Sequence, residues 1–165
     1  PLTALYNRRA LEMRAPPFLN GVSAERPGAL LLIDIDNFKL INDLFGHTAG
    51  DRLLISLSEM IRAVLPKDAL AARLGGDEFV ILLSNASSER IEALASALRE
   101  PFYLATSQTF STPQAVTLSI GAELFDRPPA SLSQLIELGD AALYASKRGG
   151  RNSLRLVDRT LANQL

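Results

Sequence analysis

Two acidic loci and one pair of glycines hold most of the chemistry this chain offers. The first locus is Gly75-Gly76-Asp77-Glu78, set between Ala69-Leu70-Ala71-Ala72 and Val80-Ile81-Leu82-Leu83. Apolar runs on both sides of a Gly-Gly pair predict a β-hairpin with the glycines in its turn. Glycine tolerates positive φ and leaves room for a bulky ligand against the backbone. Carboxylates beside such a turn can hold a divalent cation near a phosphate. On spacing alone, a tight turn carrying a solvated acidic pair accounts for these residues equally well.

The second locus closes the buried-strand run Ala29-Leu30-Leu31-Leu32-Ile33 with Asp34-Ile35-Asp36. Carboxylates at the end of a buried strand are costly unless they pair, ligate or reach water. A helix N-cap ahead of Phe38–Phe45 explains Asp36, or Asn37. It explains Asp34 less well. Two acidic loci beside a glycine turn point to a cation-assisted phosphate site.

The elements that must position these residues follow from periodicity and punctuation. Thr3 to Arg14 reads as a helix stopped by Pro16-Pro17, and Asn20 to Gly28 as loop. Strand Ala29–Asp34 leads into the short helix Phe38–Phe45, closed by Gly46. A long helix follows His47-Thr48-Ala49-Gly50-Asp51 and ends near Pro66; Leu53, Leu54, Leu57, Met60, Ile61 and Val64 form its apolar stripe. After the hairpin, Ser88–Arg99 is amphipathic. Phe102–Ala105 and Ala115–Ile120 read as strands, joined by a loop over 106–113. The last helix starts near Ser131, where Ser131 and Gln134 fit a capping box, and it ends at Gly149-Gly150. Leu154–Val157 reads as an edge strand. This alternation predicts an α/β fold, a mixed sheet covered by helices.

The composition narrows the function classes. At 165 residues with 47% apolar content, the chain is one domain with a full core. The expected division is a domain over 1–157 and a tail or linker start over 158–165. A net charge of −1 gives no basic face for nucleic acid. The absence of cysteine rules out disulfides and thiolate metal sites. No apolar run reaches membrane-spanning length and no signal peptide is visible, so a cytoplasmic domain is expected. The opening Pro1-Leu2-Thr3 reads as a cut from a longer protein, compatible with an upstream sensor or membrane anchor.

Nearly the whole chain resembles the GGDEF family of diguanylate cyclases. Leu2-Thr3-Ala4-Leu5-Tyr6-Asn7-Arg8-Arg9 is similar to the family's opening motif, with Ala4 where glycine is usual. Asp34-Ile35-Asp36-Asn37-Phe38-Lys39-Leu40-Ile41-Asn42-Asp43, Gly46-His47 and Gly50-Asp51 match the next block. Gly75-Gly76-Asp77-Glu78-Phe79 is the signature. Thr117-Leu118-Ser119-Ile120-Gly121, Asp140 to Lys147, and Gly150-Arg151-Asn152 complete the order.

The resemblance implies a mostly antiparallel sheet like the palm of nucleotidyl cyclases and polymerases, and synthesis of cyclic di-GMP from two GTP. It implies two Mg²⁺ (or Mn²⁺) per site, held by Asp34, the Ile35 carbonyl and Asp77. Mg²⁺ suits such a set, since it takes few protein oxygens and leaves positions for phosphate and water. Asp77 or Glu78 would accept the hydroxyl proton. Gly75 and Gly76 would admit the phosphates. Lys39 would offset charge in the transition state, and Lys147 and Arg151 would bind phosphate. Without the family, Lys39 is a solvated helix lysine, and Lys147 and Arg151 complement a helix dipole.

Asn42 and Asp51 match the guanine-reading pair. Phe38, His47 and Leu54 fall on the substrate side, although core packing is the simpler account of Leu54 and a structural role the commoner one for a lone histidine. The place of the family's Arg-x-x-Asp product-inhibition site holds Pro66-Lys67-Asp68-Ala69, so inhibition through it is not expected. Such losses occur in domains fused to a phosphodiesterase (EAL) domain. Catalysis by two facing domains, each mainly monomeric alone, is the implied assembly. A GTP-binding regulatory module without turnover is the alternative, and a polymerase-like transferase would want a basic track that is not here.

Overall fold

The computed structural model describes residues 2–164; Pro1 and Leu165, which end the two spans expected above, lie outside the described residues. Five strands form one sheet: β1 Gly28–Ile35, β2 Leu70–Gly75, β3 Glu78–Leu83, β4 Leu118–Phe125 and β5 Leu154–Asp158. Their order is β2-β3-β1-β4-β5. All neighbours are antiparallel except β4 and β5. The helices are α1 Arg8–Asn20, α2 Phe38–Phe45, α3 His47–Val64, α4 Ser88–Thr109, α5 Leu132–Arg148 and the single turn α6 Leu161–Gln164.

β1 is central and apolar on both faces because helices cover both. Ala29, Leu31, Ile33 and Ile35 pack with Leu53, Leu54, Leu57 and Ile61 of α3 and with Ile91, Leu94, Ala95, Leu98 and Phe102 of α4. Leu30 and Leu32, on the opposite face, join Leu11, Ala15 and Leu19 of α1 and Leu135, Ile136 and Leu143 of α5. On this second face α5 lies very close to the sheet. A Cβ on Gly121 of β4 would meet the Leu143 backbone nitrogen at 2.2 Å, and one on Gly139 would meet Leu30 Cδ2 at 2.6 Å. At Gly121 the obstacle is backbone, so only glycine fits there; at Gly139 the Leu30 side chain would have to turn aside.

Four expectations need correction. The first helix starts later and runs longer than Thr3–Arg14. Asn7 caps it by accepting from the Ala10 N–H at 2.8 Å, while Tyr6 pairs with Ala72 and accepts from the Arg73 N–H at 2.9 Å. Pro16 and Pro17 do not stop this helix; they face solvent while Leu11, Ala15 and Leu19 keep the buried stripe going. Phe102–Ala105 is helical rather than a strand. α4 continues through exposed Pro101 because Leu98, Phe102 and Thr106 extend the stripe of Ile91, Leu94 and Ala95. The loop therefore covers 110–117, and the following strand is Leu118–Phe125, later than the expected 115–120.

The fourth correction concerns Asp36, which is not a helix cap. It is buried and binds β4, as described below. Asn37 occupies the N-cap position of α2 at φ 62° without a side-chain cap bond, and its amide donates to the Ala115 carbonyl at 2.7 Å. Beyond residue 157 the backbone stays on the sheet. The Arg159 N–H donates to Leu124 O at 2.8 Å, its guanidinium bonds Glu123 at 2.5 Å, and the Leu161 N–H donates to Asp126 at 2.8 Å.

Candidate active site

The site sits where β1, β3 and β4 end together. Register places Asp34 opposite Glu78 on one side and Ser119 on the other. Between β2 and β3 the register shifts at Arg73/Gly75. Gly75 and Gly76 take φ of 147° and 51°, both in the region that favours glycine. The Arg73 guanidinium pins this turn by donating to the Gly76 carbonyl from Nε at 3.0 Å and Nη2 at 2.8 Å. That staple was not among the residues expected from sequence, although an arginine two residues before a Gly-Gly pair is its visible signal.

The turn delivers Asp77 beside Asp34, and their environment is what sets the chemistry. Burial, then a hydrogen bond and charge from Asp34, push the Asp77 carboxyl up to about 7. Glu78 is raised too, first by burial, then by the charges of Asp140 and Asp34. Asp140, on α5, is raised by burial. Asp34 Oδ1 is buried with no donor directed at it, so the two carboxyls meet with only the Oδ2 side of Asp34 compensated, by Lys147. A proton shared with Asp77 or a cation resolves that arrangement. The donor set fits Mg²⁺ or Mn²⁺: hard oxygens from Asp34, Asp77 and the Ile35 carbonyl, with few protein ligands. Among the described residues no cluster of three or more acidic, histidine or cysteine side chains is placed to hold a metal ion by itself.

Cations line the same cleft, a pocket of about 310 Å³ bounded by Asp34, Asp77, Phe38, Lys39, Lys147 and Arg151. Lys147, at the end of α5, forms an ion pair with Asp34 Oδ2. Arg151 Nε lies 3.9 Å from Asp36. Lys39 is almost fully exposed and pairs with Asp43 at 3.2 Å, one helical turn along α2.

The remaining expected residues lie along α2 and α3. Asn42 packs on Gly50 at the start of α3. His47 and Asp51 are exposed on that first turn. Leu54 is only 2% exposed and belongs to the core, so its side chain packs among the sheet-facing leucines. The structure thus gathers Asp34, Ile35, Asp77, Phe38, Lys39, Lys147 and Arg151 in one cleft, with Asn42, His47 and Asp51 on the adjoining helices.

A mixed sheet flanked by helices, with a carboxylate pair at its open end, is a palm-like fold. The family model described as "Diguanylate cyclase, GGDEF domain" matches residues 1–153; the chain belongs to the GGDEF family. It is 35% identical over 161 residues to the probable diguanylate cyclase DgcT of Escherichia coli, covering 96% of this chain and 35% of that protein. It is 39% identical over 163 residues to the diguanylate cyclase TpbB of Pseudomonas aeruginosa, covering 95% of this chain and 37% of that one. The chain therefore spans about a third of the length of these curated relatives. Among solved structures, the coiled coil and GGDEF domain of DgcB from Caulobacter crescentus, in complex with c-di-GMP, matches with a TM-score of 0.80 and 30% identity, covering 94% and 83% of the two chains.

Proposed function

We propose that this domain is a diguanylate cyclase that condenses two GTP into cyclic di-GMP and releases two pyrophosphates. One observation carries the reading. A carboxylate pair, Asp34 and Asp77, with Asp77 pushed up to about 7 and Asp34 ion-paired on one oxygen only, shares a cleft with Lys39, Lys147 and Arg151. That is a cation site facing a place for a polyphosphate.

In each step the 3′-hydroxyl oxygen of one GTP bonds to the α-phosphorus of the other. The α–β bridging P–O bond breaks, and pyrophosphate leaves with its electron pair. The hydroxyl proton passes to Asp77 or Glu78, both held above the ordinary carboxylate range in this cleft. Lys147 and Arg151 hold the triphosphate, and Lys39 offsets the charge that builds on the reacting phosphoryl group. The open turn at Gly75 and Gly76 leaves space for phosphate beside the backbone. Asn42 and Asp51 read the guanine edge, with Phe38 and His47 beside them. When bound by Asp34, Asp77 and the Ile35 carbonyl, two divalent cations supply Lewis-acid charge to the phosphates and the attacking hydroxyl.

Each domain holds one GTP, so both bonds require two domains face to face. The use of GTP places the domain in the cytoplasm. No helix among the described residues is long and apolar enough to cross a membrane, and an anchor or sensor would come from other parts of a longer chain. Incubation with GTP and Mg²⁺, followed by identification of the product, tests the proposal; recovery of unchanged GTP at high protein concentration overturns it.

That outcome would favour a second reading, a GTP-binding module that regulates a fused phosphodiesterase. It draws on the 36% identity over 154 residues to the cyclic di-GMP phosphodiesterase PdeR of E. coli, of which the chain covers 22%.

A further inference from the structure

We propose that Asp36 is a positioning residue that aims Arg151 at the triphosphate. Its side chain is 1% exposed, at the floor of the same cleft. It gathers donors from two separate parts of the chain. Thr117 Oγ1 donates to Oδ2 at 2.6 Å and Ser119 Oγ to Oδ1 at 2.7 Å, both from the β4 side. The Asn152 N–H donates to Oδ2 at 3.1 Å from the turn after α5. Arg151 Nε stands 3.9 Å from Oδ1. The Asp36 N–H donates in turn to the Thr117 carbonyl at 2.8 Å, which fixes the carboxylate's own backbone.

The turn it holds is one the chain would not adopt unaided. Gly150, Arg151 and Asn152 take φ of 116°, 64° and 45° in succession. Left-handed backbone at consecutive non-glycine residues is disfavoured and persists only where surrounding contacts impose it. Asp36 provides one such contact to the Asn152 N–H; Arg99 Nη2 provides another by donating to the Asn152 carbonyl at 3.0 Å. Of the two, only Asp36 is also ion-paired with Arg151. A buried carboxylate with all its donors in place is rigid, so it fixes the backbone that carries Arg151 and draws the half-exposed guanidinium toward the cleft.

This inference rests on the reading of Arg151 as a phosphate contact, and the test separates the two. The probes are α,β-methylene-GTP, whose bridging bond cannot break, and GMP, titrated against the domain with Mg²⁺. Arg151→Ala weakens the triphosphate analogue and leaves GMP unchanged. Asp36→Asn, which keeps the shape but removes the charge, gives the same selective loss of about tenfold, and the double variant is no weaker than either single one. Equal weakening of both probes by Asp36→Asn, or additive losses in the double variant, would overturn the proposal. Analogue binding unaffected by Arg151→Ala would instead overturn the phosphate reading on which it stands. Should Asp36→Asn fail to fold, Ser119→Ala loosens the same carboxylate and gives a smaller loss of the same selectivity. A folded Ser119→Ala variant with unchanged analogue binding counts against the role.

Discussion

The amide oxygen of Asn42 occupies the space that a side chain at position 50 would need: a Cβ on Gly50 would meet it at 1.9 Å. Phe38 closes the same spot, 3.3 Å from that Cβ. Gly50 thus lets α2 and α3 close on each other with Asn42 between them.

Gly50→Ala should therefore change specificity more than stability. Alanine suits a helix better than glycine by about 1 kcal/mol, which offsets part of the crowding. The Asn42 amide must swing aside. Melting temperature should stay within a few degrees of the parent, whereas the preference for GTP over ATP should fall at least tenfold in a competition assay. Asp51→Ala should lower the same preference, because a pocket built for guanine leaves its polar groups unpaired with adenine. An unmodified domain that uses both nucleotides equally would count against Asn42 and Asp51 as readers.

Asp34→Asn and Asp77→Ala should each abolish turnover and leave the fold intact, since both residues lie at the open end of the sheet. The loss corresponds to several kcal/mol of transition-state stabilisation, of order 3 or more. Circular dichroism and a product assay read the two halves of the claim. Near-normal product formation by either variant with Mg²⁺ would remove the metal assignment.

Stability should depend on pH through the raised carboxyls. A folded-state value of about 7 for Asp77, against 3.8 for the free side chain, means the folded domain holds more protons than the unfolded chain between those limits. Stability is then fully present below the lower value and is lost as pH rises through the upper one. Glu78 and Asp140 shift in the same direction. In chelator, the melting temperature should rise as pH falls from 8 to 6. Saturating Mg²⁺ should flatten this dependence by taking the proton's place. Asp77→Ala should flatten it without metal.

Cyclic di-GMP should not inhibit through residues 66–69. Asp68 accepts from the Ser84 hydroxyl and lies 3.6 Å from Arg26, and Pro66 and Ala69 offer no charged grip on a phosphodiester. Tight product binding that disappears on altering this segment would refute the expectation.

Specific activity should rise with protein concentration, because the two bonds need two domains. Fusing a dimerising coiled coil ahead of the domain should raise the rate by raising the effective concentration. A concentration-independent rate from a confirmed monomer would exclude the two-domain scheme.

The carboxylate turn and the helices α3 and α5 were readable in the chain because their signals are local, whereas the palm-like arrangement of the sheet came from the family resemblance. Gly75-Gly76 marks the turn, and the apolar spacing of Leu53, Leu54, Leu57 and Ile61 marks one helix face. Pro101 and Phe102-Tyr103-Leu104 misled because local preference was weighed over the buried stripe that runs through them. Asp36 misled for a different reason. An acidic residue before a helix has a ready local role, whereas its partners Thr117, Ser119 and Asn152 lie far away in sequence. The shift at Asp77 likewise arises from two strands meeting, which no single segment displays.

The glycine contacts beneath α5 divide the cleft mechanically. With backbone close against backbone at Gly121 and Leu143, and Leu135, Ile136 and Leu143 packed on Leu30 and Leu32, the helix that carries Lys147 is seated firmly on the sheet. Across the cleft, α2 meets the solvent through exposed Leu44 and Phe45, with Phe45 tilted against Phe110 at 5.0 Å between ring centres. If the cleft opens for a ligand, the less anchored side is expected to be α2, not α5.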